Sequence, residues 1–362
     1  MDVVPNMAST YVGAKKVFKN DLVFNKLKAH LGVFAISKYE GLVSPDYAVY
    51  TPNERTYLPF MEYMFHTPLY IGEFTRKATG VAIGLTRLYT NGLFAIPFLY
   101  PPIEEQHAIV SFLDDRCGKI DKMLEGKQKQ IELLAEMKQR IMADAVTRGL
   151  NPNVKMKATN IPWLPEIPDH WTVKRGKNLF NKEQRPIEEG DDIVTCFRDG
   201  EVTLRKNRRT TGFTEATDYS HYQHICKGDL VIHQMDAFAG SSGVSDSDGM
   251  GTPVLSVCTA KVEGLNHYYY AYILRLMGKN NFILSLYRGI RERSSDFRFE
   301  TFAKQYLPVP PASEQNEIVE FINERSSKID TLTSKLQQEI ESIKEYKQRL
   351  ISDAVTGQIK IQ

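Results

Sequence analysis

The stretch PPIEEQHAIVSFLDDRCGKID, Pro101–Asp121, returns as PPASEQNEIVEFINERSSKID, Pro310–Asp330. Extended to Thr147 and Thr356, the two copies align without a gap at a shift of 209 residues, with about 22 of 47 positions identical. A period this long is not that of a solenoid. It reads as duplication of a domain together with its connecting element.

Each copy reads as one long helix. Pro101-Pro102 and Pro310-Pro311 stop what precedes and pre-set a helix start. Gly149 and Gly357 stand where the helices should stop. In the first copy Leu113, Cys117, Ile120, Leu124, Lys127, Ile131, Leu134, Lys138, Ile141 and Ala145 recur at steps of three and four. The second repeats this with Ile322, Ser326, Ile329, Thr333, Leu336, Ile340, Ile343, Lys347, Leu350 and Ala354. That is a heptad seam, the pattern that packs helix along helix. Lys138 and Lys347 share one seam position, where a lysine either fixes register or snorkels out. A lone helix of ~45 residues, about 67 Å long, leaves its stripe bare, so the two should pack together. The chain returns through a globular segment after the first, which makes the expected pair antiparallel.

The expected fold class is therefore α+β. Two mixed α/β domains, 1–100 and 151–309, are separated by a pair of long antiparallel coiled-coil helices, 101–150 and 310–362, with pseudo-two-fold symmetry. The loop NPNVKMKATN opens the second globular segment, and Pro162, Pro165 and Pro168 after it are expected to break regular structure. Trp163 and Trp171 should anchor that segment to a core. DIVTCF, EVTL and GDLVIHQ read as strands, and HYYYAYILRLMG as a helix. The first segment matches the later half of the second: Asp21, Leu22 and Val23 fall on Asp229, Leu230 and Val231, and Pro45 on Pro253. A counterpart of residues 161 to about 210 is missing, so the chain is expected to begin inside its first domain.

Composition narrows the function classes. The 362 residues are 42% apolar and 25% charged, with net charge +2, so any nucleic-acid surface must be local. No apolar run approaches the ~18 residues needed to span a bilayer and no secretory leader is read at the start, so the protein is expected in the cytoplasm with no membrane role. Cys117, Cys196, Cys226 and Cys258 show neither disulfide nor zinc-ribbon spacing.

With the repeated helices, the IPWLPEIPDHWTVKR opening and the GLVSPDYAVY stretch in view, the chain resembles the specificity subunit of type I restriction–modification enzymes. It departs from that family in the missing front of its first domain. The resemblance implies a non-catalytic DNA-recognition subunit, with the globular segments as target-recognition domains that read two halves of a split site in double-stranded DNA. It implies two methyltransferase subunits and restriction subunits as partners, the assembled complex being an adenine-specific DNA methyltransferase and endonuclease. Half-sites about one helical turn apart, roughly 34 Å, suit two readers on a rod. The alternatives are a truncated or silent cassette reading one half-site, and a coiled-coil scaffold without DNA reading.

Candidate DNA contacts in the second domain are Arg205, Lys206, Arg208 and Arg209 in LRKNRR, Gln234 in a glycine-rich loop, and Arg288, Arg291, Arg293 and Arg298 in YRGIRERSSDFRF. Arginine contacts phosphate and pairs bidentately with guanine, and glutamine reads an adenine edge. Parallel candidates in the first domain are Lys26, Lys28, Arg76, Lys77 and Arg87. Basic and acidic residues balance at 19 each over 161–310, so these are islands on an otherwise neutral surface. The glycine-rich loop is read either as a close backbone approach or as a flexible hairpin. No GxxxxGK[ST] loop and no methyl-donor motif is found. His221, His224, Cys226 and His233 are too loosely spaced for a metal site. No cofactor and no metal is expected.

Overall fold

The computed structural model describes residues 12–80, 86–212, 218–286 and 297–361. Arg288, Arg291 and Arg293 lie outside them. The chain divides into two compact units, Met1–Ile131 with Ser334–Gln362, and Glu132–Thr333. Each unit holds one globular lobe and one half of each long helix.

The first lobe contains β1 (Lys15–Val17), β2 (Leu22–Asn25), β3 (Phe34–Ile36), β4 (Gly41–Val43), β5 (Tyr47–Tyr50), α1 (Leu58–Phe65), α2 (Pro68–Lys77) and α3 (Thr90–Phe94). The long helix α4 (Ile103–Arg148) follows. The second lobe runs β6 (Met156–Ile161), β7 (Leu164–Pro168), β8 (Thr172–Arg175), α5 (Gly176–Leu179), β9 (Phe180–Glu183), β10 (Val194–Cys196), β11 (Val202–Leu204), β12 (Gln223–Ile225) and β13 (Leu230–His233). It continues through β14 (Ser242–Val244), β15 (Gly249–Gly251), β16 (Leu255–Ala260), α6 (His267–Lys279), α7 (Phe282–Ser285), α8 (Phe299–Phe302) and β17 (Tyr306–Val309), before the long helix α9 (Ala312–Val355).

The lobes share a frame at an offset of 208 residues. In the first, β3-β2-β5 is antiparallel with Leu22 opposite Ile36 and Tyr50. In the second, β14-β13-β16 places Leu230 opposite Val244 and Cys258. The pair β1–β4 corresponds to β12–β15 in the same register. The second lobe then adds β9 beside β16, β8 beside β17, and the β10–β11 hairpin. Among the described residues the first lobe has no counterpart of β6 to β11.

That difference sets the cores. In the second lobe Val194, Cys196 and Val202 of the hairpin bury Ile225, Val231, Leu255 and Val257. In the first, the matching Val23, Tyr47 and Val49 stay half-exposed. Position 243 shows why the hairpin needs glycine beneath it: a Cβ on Gly243 would lie 1.9 Å from the Gly200 carbonyl oxygen. The first lobe carries an exposed Ala35 there. Its own core is aromatic, with Phe24 stacked on Phe34 at 5.3 Å and edge-on to Phe74 at 5.5 Å.

Pro162 breaks the chain as expected, in the turn between β6 and β7, but the two later prolines do not. Pro165 and Pro168 sit within β7, which pairs only with β6. An edge strand leaves one side without ladder bonds, so a missing N–H is tolerated there. Part of the expected loop is likewise the strand β6. Trp171 is fully buried, as expected, and its Nε1 donates to Glu314 Oε2 at 2.9 Å, while Trp163 packs only partly against the core.

In each unit the two helix halves run antiparallel. In the first, Lys347 meets Asp121 at 2.6 Å and Lys127 meets Glu339; in the second, Lys138 meets Asp330 at 2.7 Å. Ile329, Ile340 and Leu350 are buried, and Ile120, Leu124, Ile131, Leu134, Ile141, Leu336 and Ile343 half-buried. The flanking positions are mostly exposed, so the heptad periodicity is visible in the burial itself. The seam lysines do not simply snorkel; both reach an aspartate on the other helix. Gly149 and Gly357 end the helices at φ +74°, in the left-handed region glycine favours.

Candidate nucleic-acid interface

Lobe and helix are joined by the same contacts in both units. Gln106, fully buried, accepts the Tyr57 backbone N–H on Oε1 at 2.9 Å and donates from Nε2 to the Arg55 and Pro101 carbonyls. Gln315 accepts the Asn266 N–H at 3.0 Å and donates to the Pro310 carbonyl at 2.9 Å. Tyr63 of α1 donates its hydroxyl to Asp114 at 2.7 Å, and Tyr272 of α6 donates to Asn323 at 2.6 Å. Every pair is separated by the repeat length of 209 residues. Beside each junction lies an open cavity, about 530 Å³ in the first unit with Tyr63, Asp114, Cys117 and Lys347, and about 660 Å³ in the second. The latter is lined by Lys138, Arg198, Asp199, Glu201, Tyr272 and Arg275. Burial lowers the pKa of Arg275 below the ordinary guanidinium value, opposed by Tyr272 and Asp199.

One candidate in each lobe stands at the same position, a corner of the shared strand frame, each within its own unit. Lys26 follows β2, and its Nζ donates to the Pro45 carbonyl at 2.7 Å. Gln234 follows β13, and its Nε2 donates to the Pro253 carbonyl and to Ser256 Oγ, both at 3.3 Å. The strand-end carbonyls of Lys26 and Gln234 accept the N–H of Leu88 and of Phe297. The two residues are structural counterparts. Around Lys26 the corner also holds the exposed Lys28, and Arg87, which pairs with Asp46 at 3.2 Å. Arg76 and Lys77 stand in the last turn of α2, Arg76 bonded to Glu73.

Arg205, Lys206, Arg208 and Arg209 gather on a short turn after β11. Lys206 is paired with Asp192. Arg208 bridges Asp199 and Glu201, both at 2.7 Å, with its guanidinium 4.3 Å from the Phe197 ring centroid. Its bond to Asp199 raises its pKa. For Asp199 burial works upward, yet the Glu201 N–H and the Arg208 guanidinium hold the carboxyl below the usual range. Arg209 folds back onto the carbonyls of Thr211 and Gly212, which are neutral acceptors. Arg298, exposed, stands before α8. The glycine-rich loop forms regular structure over much of its length, and its first part is the turn of an antiparallel hairpin. It folds into a turn at Ala237–Ala239, then β14 and β15, with Gly243 against the chain's own backbone.

The sequence reading missed Gln106 and Gln315, although the repeated EQ dipeptide marks them. It also missed Arg275 and Arg198, which no basic run announces.

A family profile described as type I restriction modification DNA specificity domain matches residues 168–342. The chain is 24% identical over 299 residues to the type I restriction enzyme MjaVIII specificity subunit of Methanocaldococcus jannaschii, covering 79% of this chain and 66% of that one. It is 21% identical over 288 residues to the EcoBI specificity subunit of Escherichia coli, covering 72% and 58%. The chain thus spans just under two thirds of the length of the first relative and less of the second. Two solved structures share the fold. One, at TM-score 0.70 and 15% identity, covers 96% of this chain and 84% of its own, and comes from a study of complex assembly and conformational transition of the type I R-M system. The other is the HsdS subunit from Thermoanaerobacter tengcongensis, at TM-score 0.55 and 15% identity, covering 97% and 84%.

Proposed function

We propose, from the premise that this chain belongs to the type I restriction–modification specificity-subunit family, that it is the DNA-addressing subunit of such a complex. Each lobe reads one half of a bipartite site in double-stranded DNA. The helices α4 and α9 form an antiparallel spacer under pseudo-two-fold symmetry, and two methyltransferase subunits and restriction subunits supply the chemistry. This chain itself performs no catalysis. The observation that carries the reading is the repetition, at equivalent positions, of the lobe-to-helix joint, Gln106 with Gln315 and Tyr63 with Tyr272, beside the helix-to-helix pairs of Lys347 and Lys138. A scaffold that only needed two long helices has no use for two equivalent sockets holding two different lobes.

On this reading the corner of Lys26, Lys28 and Arg87 faces one half-site, and that of Gln234 the other, with Arg205 to Arg209 nearby in sequence space of the same lobe. Phosphate contacts by Lys206 and Arg208 require exchange of their carboxylate partners, so these residues orient the duplex and leave base reading to the corner. The test is the methylome of a host with and without the gene. A bipartite methyladenine motif that vanishes on deletion supports the reading. Unchanged methylation in a host expressing the partner subunits refutes it.

A further inference from the structure

At the open end of the β12–β15 pair three unlike donors converge. His224, Cys226 and Asp248 each offer one ligand atom, and these atoms lie within 4.8 Å of one another. We propose that they form a binding site for a divalent transition ion of the zinc class, stapling the turn after β12 to the start of β15.

The surroundings are built for it. His224 is buried in β12, opposite Met250 of β15, and its Nδ1 lies 2.9 Å from a carboxylate oxygen of the equally buried Asp191. That contact fixes the ring and leaves Nε2 for an ion. A histidine ligand steadied by a carboxylate behind it is the usual outer arrangement of protein-bound zinc. Asp248 is held by the Lys227 N–H, which donates to Oδ1 at 2.8 Å. Cys226 is held through its own N–H, which donates to Asp229 Oδ2 at 2.8 Å. Arg185 anchors Asp229 in turn, at 2.5 Å. The imidazole and the carboxylate are thus each restrained at the side chain, and Cys226 at its backbone.

The chemistry of the set is selective. Thiolate, imidazole and carboxylate together suit zinc or cobalt(II) and are a poor cage for magnesium or calcium, which take oxygen. Bond lengths of about 2.0–2.3 Å in a tetrahedron put neighbouring ligand atoms roughly 3.3–3.8 Å apart. The three atoms need to close by about an ångström, and a water fills the fourth position.

The first lobe supplies a comparison within the same chain. At the offset of 208 residues, His224, Cys226 and Asp248 become Lys16, Phe18 and Glu40. The Lys16 ammonium there lies 5.9 Å from the Phe18 ring centroid. One lobe places a fixed cation where the other gathers three donors. Sequence spacing had grouped His221 and His233 with His224 and Cys226. The fold exchanges both for Asp248; the Nδ1 of His233 is taken by the Asp236 N–H at 3.1 Å.

The test uses the full chain, stripped with chelator and titrated with cobalt(II). Expected are one equivalent bound, the intense visible bands of tetrahedral cobalt, a near-ultraviolet thiolate-to-cobalt band, and displacement of all three signals by zinc. Cys226→Ser should abolish the thiolate band, and Asp248→Asn should weaken binding at least tenfold, both with far-ultraviolet circular dichroism unchanged. Lys16→Ala, in the other lobe, should leave the titration as it was. Octahedral cobalt spectra, or equal uptake by the wild type and Cys226→Ser, overturn the site. If either variant misfolds, the wild-type spectrum alone still decides, because a thiolate band can come from no oxygen-only site.

Discussion

Gln106 sits fully buried with its Oε1 2.9 Å from the backbone nitrogen of Tyr57, and it joins the first lobe to the helix that follows. Replacing it with alanine strands the Tyr57 N–H and two carbonyls, at a cost of about 1–3 kcal/mol. Gln106→Glu should cost more, because the two donated bonds are lost and a charge is buried. Gln315→Ala should behave alike in the second unit. Urea midpoints of the single variants measure this; a change within error at both sites would remove the joint from the account.

The seam lysines should stabilise little. An exposed ion pair contributes about 0.2–1 kcal/mol, and the Lys138 side chain is 37% exposed beside an Asp330 at 62%. Half-burying a leucine in the same seam gains roughly 1 kcal/mol. Lys138→Leu should therefore raise the denaturation midpoint and Lys138→Ala lower it slightly. A large loss with leucine would mean that the lysine specifies the pairing more than it supports it.

Glycine at 243 and alanine at 35 should respond unequally. Gly243→Ala drives a Cβ into the Gly200 carbonyl, and overpacking of this kind costs about 3 kcal/mol or more. Ala35→Gly meets no neighbour and should cost only about 0.5–1 kcal/mol of strand stability. Thermal melts of both variants make the comparison. Equal losses would argue that the hairpin of the second lobe yields easily.

Burial lowers the pKa of His233 below 6.5, against an opposing pull from Asp236, with Arg198 adding to the lowering. A folded-state value below the unfolded one means that the unfolded chain binds more protons. The stability it contributes is full above about pH 6.5 and is lost as pH falls through the folded value. His233→Asn should flatten the fall in urea midpoint between pH 7.5 and 5.5. Parallel slopes for variant and wild type would exclude this histidine as a source.

If the proposed ruler is correct, four residues added to each long helix displace the lobes by about 6 Å. The gap in the methylated motif should then widen by one or two base pairs while both half-sites stay unchanged. Altered half-sites at constant gap would contradict it.

The helices and their seam were legible because heptad spacing needs only near neighbours in sequence. The alignment of Leu22 with Leu230 also carried, since both start the central strand of the shared sheet. What escaped were relations set by folding. Pro165 and Pro168 look like breakers until β7 proves to be an edge strand. Asp248 joins His224 only because β12 and β15 lie side by side. The charges of Lys206 and Arg208 look available until Asp192, Asp199 and Glu201 are seen against them. Lys26 and Gln234 were chosen for unrelated reasons, one charge and one amide, and only the strand frame reveals that they occupy the same place.

The twin glutamine joints make the lobes exchangeable parts. A segment exchanged between the repeated helical stretches needs only to present the backbone N–H that Gln315 accepts, as Tyr57 presents one to Gln106. The joint then needs no fresh fitting between lobe and helix.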